Sequence, residues 1–452
     1  MSRLSRRSLL VGAGGILGSG AGCLSLPDRS TFEPADWPQV QADAGKTNYS
    51  STPGPVADAE VAWRQPFDAL DTGFYASLFL VDGTVYVGSN AVRRSYFSPA
   101  GFTGDIGALY GVDATSGDIQ FRVPNVDAVY GVAGTRTYTD GVVLAGQTEG
   151  GAPRRHDEDR TLGLNPSGGV AAQRWNVQRP APHGWRGARP GDSITVADGT
   201  WFYCPSGEPA TVRAVDVDDG RKRWTRRLDA TGRPTLLADS ERVVVAVDGD
   251  DEGATLHVFD HDGTTVERID VQDSTDAPAQ LALRDGSITR VSVAEQVRVT
   301  SHDAQTLGQT WQETLNVDGR SNAHLAVSPE YVVAVVGQRR DETLGNEWEY
   351  PTILLGLDRE SGELRWRTDM EIGETRIVRT LAIGNRTVYV GTERGSVLAF
   401  ALADGTERWR IESERTVSDD FEPIGELVES LVVGDGRVYL WDGSSLIALE
   451  EP

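Results

Sequence analysis

The sequence predicts an all-β fold, a closed ring of four-stranded antiparallel sheets, and three observations carry that expectation. The first is a recurring phrase. VDATSGDIQF at 112–121, VDVDDGRKRW at 215–224, GLDRESGELRWR at 356–367 and ALADGTERW at 401–409 each place a Gly four residues before an aromatic. The second is the spacing of such phrases along the chain, roughly 45–50 residues, which is the length of one four-stranded propeller blade. The third is a mismatch between the two ends of the chain. After Trp409 only three strands follow, Leu431 to Val433, Arg437 to Trp441 and Leu446 to Leu449, while an orphan strand, Glu60 to Arg64, carries a matching Trp63 near the start. An open ring would expose unpaired edges, so the orphan strand is expected to complete the last sheet. The expected architecture is an eight-bladed β-propeller. Seven blades is the alternative if 235–271 belongs to a distorted neighbour.

The elements follow in order. Arg3, Arg6 and Arg7 precede an apolar, Gly-rich run from Leu9 to Ala21 that ends at Cys23. A positive start, a short apolar stretch and small residues before a Cys make an export signal over 1–23. Ser5 to Leu10 resembles a twin-arginine signal, and Cys23 resembles the lipidation site of exported lipoproteins. Gly20 stands where such signals usually place Leu, so cleavage without a lipid is the alternative. Residues 24–36 read as a polar tether. The remainder, 37–452, reads as one propeller domain, opening on Trp37-Pro38 and a polar stretch to Pro55. The blades are then counted by their outer strands: Phe121, Trp175, Trp224, a degenerate position near Arg268, Trp311, Trp366 and Trp409, with Trp63 closing the circle. Asp-Gly and Ser-Gly pairs supply the positive φ of tight hairpins, and each aromatic is expected to fill the gap between adjacent blades. The many glycines follow these turns, so no phosphate-binding loop is needed to explain them.

Composition narrows the class of function. The formal charge is −24, and Lys46 and Lys222 are the only lysines. Such a surface lacks the basic stripe of a nucleic-acid binder and resembles proteins of extreme halophiles. The two cysteines, Cys23 and Cys204, provide no disulfide framework; Cys204, in Trp201-Phe202-Tyr203-Cys204, reads as a small buried hydrophobe inside a strand.

Propeller connections alternate between two faces. The turns joining strands one to two and three to four are short, and the other face receives the long insertions: 88–107, 147–160, 178–191, 337–351 and 413–428. These hold Arg93, Arg94, Tyr96, Arg154, Arg155, His156, Trp185, Arg186, Arg339, Arg340 and Trp348. Arginine and aromatic side chains together compose an interface anchor, so this long-loop face is the expected recognition surface for a protein or anionic partner. The competing reading has the same arginines pairing internally with Asp157, Glu158, Asp341 and Glu342. Asp248 to Gly253 begins like a calcium loop, but Phe259 stands where the closing Glu should be. His156 and His183 make at most half of a metal site. No metal ligand set and no catalytic residue is assigned.

The repeated Ala or Leu, Asp, Gly and Trp phrases resemble the tryptophan-docking repeats of pyrroloquinoline-quinone-type propellers, from about Trp37 to Leu449. That superfamily implies either of two things: a dehydrogenase holding pyrroloquinoline quinone and calcium, or a BamB-like lipoprotein with the same eight blades and no cofactor. The chain has no vicinal cysteine pair of the quinoprotein kind. The expectation is therefore a membrane-tethered, extracytoplasmic, non-catalytic scaffold without a cofactor, lipid-anchored at Cys23 on the outer side of the cytoplasmic membrane. The alternatives are a quinone-dependent dehydrogenase with a diverged site and a glycan- or peptide-binding propeller.

Overall fold

The computed structural model describes residue 32 and residues 36–67, 75–90, 107–124, 126, 128–138, 140–147, 160–168, 172–178, 193–204, 209–248, 253–271, 279–293, 296–315, 321–338, 352–370, 378–392, 395–411, 428 and 430–452. Eight antiparallel sheets follow one another along the chain. Blade 1 spans 75–124, blade 2 128–178, blade 3 194–227, blade 4 233–271, blade 5 280–315, blade 6 321–370, blade 7 378–411 and blade 8 430–450. The innermost strand of each blade touches that of the next, and blade 1 meets blade 8, so the ring closes. The alternative of seven blades fails because 233–271 is a complete sheet of its own.

Sequence pattern follows position in the blade. A second strand has neighbouring blades against both faces, so Val243 to Val247 is a continuous apolar run, all of it buried. The outermost strand has solvent on its far side; in Lys222–Arg227 only Trp224 is buried. Trp175, Trp224, Trp311, Trp366 and Trp409 are all below 10 % exposed, while Trp63 and Phe121 are half-buried.

The seams between blades share one mechanism. Trp366 of blade 6 lies across Gly356 on its own blade and against Gly405 in the hairpin of blade 7, where a Cβ would sit 2.4 Å from the indole. Its Nε1 donates to the Leu402 carbonyl at 2.8 Å. Gly405 has φ +70°, so the turn and the close approach both demand glycine. The same contact recurs from Trp63 to Gly117, Phe121 to Gly168, Trp175 to Gly220, Trp224 to Gly263 and Trp311 to Gly362.

One seam is different. By register, the docking position of blade 4 is Glu267, opposite Val258, rather than Arg268. The shift arises because the hairpin is one residue shorter: Gly263 donates to the carbonyl of Asp260, three residues back, where Gly362 reaches back four to Asp358. With no indole to fill the gap, blade 5 supplies the filler. Leu307 stands where the other hairpins have glycine, keeps a φ of +53°, and is buried with Ala304 against Val266, Ile269 and Val271.

The orphan strand completes blade 8 as expected, Trp63 pairing with Ala448 and Gln65 with Leu446. It leaves blade 8 without a third-to-fourth hairpin, so Trp409 lacks the usual acceptor. Pro55 replaces it: its carbonyl accepts from Trp409 Nε1 at 3.0 Å and Tyr389 Oη at 3.1 Å. Cys204 lies just beyond the strand Thr200–Tyr203 rather than within it, and is buried.

Candidate functional site

Strand direction divides the ring into two ends. The first-to-second turns and the third-to-fourth hairpins gather at the short-loop end, and the remaining connections at the long-loop end.

The short-loop end is held by aspartates and a strap. In the blade 6 hairpin, Asp358 Oδ1 accepts from the Glu360 and Ser361 amides at 3.1 and 2.9 Å, and Oδ2 accepts from Arg365 at 2.9 Å. These bonds, that from Arg365 foremost, hold its carboxyl down at about 2. Asp113 and Asp303 are lowered by the same kind of amide bonds.

The strap is residues 37–50, which travel round the inner rim and visit seven blades in order. Trp37 exchanges backbone bonds with Leu80 of blade 1, and the Pro38 carbonyl accepts from Val132 of blade 2. The Gln39 side chain pairs with both backbone groups of Val196 in blade 3, at 2.7 and 2.8 Å. The carbonyls of Ala44, Gly45, Thr47 and Asn48 then accept from Ala238, Leu283, Val327 and Ile383 of blades 4, 5, 6 and 7, at 2.7–2.8 Å. The strap satisfies the exposed edge at this end of seven inner strands, and on blade 7 it adds a short parallel fifth strand, Tyr49 pairing with Ile383 and Ser50 with Gly384. A turn inside the strap places Asp43 Oδ1 against the Thr47 amide at 3.0 Å; burial pushes its carboxyl above the usual value, opposed by the Thr47 bonds and by Arg284. Lys46, one of the two lysines, is buried on the strap at 2 % exposure.

With the inner rim of the short-loop end occupied by the strap, the long-loop end is the candidate functional site. Arg160, Asp248, Arg298 and Arg379 stand at or next to strand ends that lead to it, and each has an interaction partner. Arg290, midway along a strand of blade 5, is 1 % exposed and likewise engaged. His324 Nε2 pairs with the Val378 carbonyl at 2.8 Å, tying blade 6 to blade 7. Sequence reasoning missed these residues; the available signal was a lone arginine in an otherwise apolar or small-residue strand, as in SITRVSV.

The predicted anchors Arg93, Arg94, Tyr96, Arg154, Arg155, His156, Trp185, Arg186, Arg339, Arg340 and Trp348 lie outside the described residues, as do His183 and Cys23. The predicted docking residues Trp63, Phe121, Trp175, Trp224, Trp311, Trp366 and Trp409 are all placed at seams. Among the described residues, no three His, Cys, Asp or Glu side chains converge as a metal site. The Cys204 thiol is buried, and burial pushes it up to about 12.

Comparison with known proteins adds three findings. A family model described as outer membrane protein assembly factor BamB matches residues 169–340 and 351–451. Among curated proteins, none matches. Among solved structures, the chain is similar to the quinohemoprotein alcohol dehydrogenase ADHIIG of Pseudomonas putida HK5, with TM-score 0.58 and 14% identity over 93% of this chain and 82% of that one. It is similar to BamB from Moraxella catarrhalis, with TM-score 0.56 and 14% identity over 87% and 99%. A europium-containing methanol dehydrogenase gives TM-score 0.57 and 13% identity over 90% and 89%. Likeness at this level of identity establishes the shared propeller and leaves activity to the site.

Proposed function

We propose a function from one premise: the chain belongs to the outer membrane protein assembly factor BamB family. It acts as a non-catalytic propeller that is exported, tethered to the outer side of the cytoplasmic membrane through Cys23, and engages a protein partner with its long-loop face. The observation that carries this reading is the strap. It occupies the short-loop end of seven inner strands, and the chain enters there, the Asp36 carboxylate accepting from the Asp82 amide in a short-loop turn at 3.0 Å. From Cys23 to Phe32 the chain can span at most about 30 Å, so the tether holds the short-loop end toward the membrane and presents the opposite face outward.

Charge reversal at Arg93, Arg94, Arg339 and Arg340, followed by cross-linking in membranes, tests the partner face. Disappearance of specific adducts supports it; retention of all of them removes it. The dehydrogenase reading is separated by mixing purified protein with pyrroloquinoline quinone, calcium and a redox dye. Dye reduction that depends on added quinone would replace the scaffold reading.

A further inference from the structure

The seam between blades 8 and 1 carries a surface that ring closure alone does not require. The position two residues before the docking residue is directly comparable in all eight blades, because each pairs with an equivalent residue of strand three. Five blades place an exposed polar residue there: Gln173, Lys222, Thr265, Gln309 and Glu407. Leu364 of blade 6 is half-buried. Adjacent blades 8 and 1 instead have Val61 and Ile119, 52% and 43% exposed, and these are the exposed large hydrophobics among the described residues.

The same seam between blades 8 and 1 holds, at the short-loop end, a cavity of about 530 Å³. Ala114 and Thr115 of blade 1 form one side, and Asp435, Arg437, Glu450 and Glu451 of blade 8 the other. Arg437 is committed internally: Nη1 donates to the Ala114 and Thr115 carbonyls at 2.7 and 3.0 Å, and Nε to Glu450 at 2.9 Å. Asp435 and Glu451 in its lining are exposed, and so are Asp58, Glu60 and Asp118 on the segments that flank the seam, so the seam is anionic. Among the described residues, the outer edge of strand Glu60–Pro66 has no sheet partner, the strand pairing with Ser445–Glu450 on its other side.

We infer that this seam is a second docking surface, which takes an extended segment of a partner protein alternating arginine or lysine with aliphatic residues. The aliphatic side chains cover Val61 and Ile119, the cations meet the seam carboxylates, and the backbone adds to the open edge of 60–66. This surface is independent of the long-loop face.

The test uses the full chain and a labelled peptide of alternating arginine and valine, with fluorescence anisotropy as the readout. Saturable binding is expected. A Val61→Ser/Ile119→Ser variant should bind about tenfold more weakly, while Thr265→Ser/Gln309→Ser at equivalent positions of blades 4 and 5 should bind like the parent. Both pairs are exposed, so melting temperatures should match the parent and report folding. Equal binding by the Val61→Ser/Ile119→Ser variant would overturn the inference, as would equal binding of an arginine–serine or a glutamate–valine peptide. Sedimentation as a dimer that the same double substitution dissociates would also overturn it, by seating a second copy on the seam.

Discussion

The two ends of the ring divide stability from recognition. At the short-loop end, the strap supplies backbone partners to seven inner strands, and the hairpin aspartates Asp113, Asp303 and Asp358 are tied to their own turns. At the long-loop end, strand-terminal arginines lead into insertions of very different lengths. A substitution in the strap or in a docking residue should therefore change folding, and one in the long-loop insertions should change binding with folding intact.

The largest effect should come from removing the strap. Deleting 37–55 strips hydrogen bonds from seven blades and takes Pro55 from Trp409 and Tyr389. At about 1 kcal/mol per bond the loss approaches the stability of a whole domain. No cooperative thermal transition should remain, whereas a chain starting at residue 36 should melt like the parent. A deletion that still melted cooperatively would break the division between the ends.

Next comes a single docking residue. Trp366→Ala removes a buried indole and its bond to Leu402, and should cost about 3–5 kcal/mol in denaturant titration. The odd seam sharpens this. Leu307→Gly restores the glycine of the other hairpins without restoring an indole, so a cavity replaces the filler. The expected cost is about 2 kcal/mol, reduced from a full leucine deletion because the φ of +53° is relieved. Stabilisation by Leu307→Gly would show that the filler contributes nothing.

The smallest effect concerns pH. Asp113, Asp303 and Asp358 are lowered in the folded state, so their contribution is present above the ordinary value of 3.8 and is lost as pH falls, for Asp358 toward about 2. Asp43 is raised, so its contribution runs oppositely: complete below 3.8 and lost as pH rises through its folded value. Asp358→Asn should shallow the acid limb of stability against pH, and Asp43→Asn should leave that limb in place.

Much of the ring was legible because it repeats. Eight blades, the completing strand with Trp63 and the docking residues all follow from hairpins that solve the same packing problem with the same residues. The strap was not legible. Residues 37–50 have no periodicity, and their partners are ends of strands up to 335 positions away, as Ile383 is from Asn48, reached mostly through backbone groups that side-chain patterns do not report. Gln39 could have been noticed only by knowing that Val196 was near. The Glu267 and Leu307 exchange was hidden for another reason: a one-residue shortening of the hairpin moved the docking position, and the compensating leucine sat in a different blade.

The most direct measurement is cross-linking of the tethered protein in its own membranes, comparing the parent with a variant reversed at Arg93, Arg94, Arg339 and Arg340. Partner adducts should be lost while the melting temperature stays at the parental value. Adducts that persist unchanged, or a variant that loses them only because it no longer folds, would contradict recognition through the long-loop face.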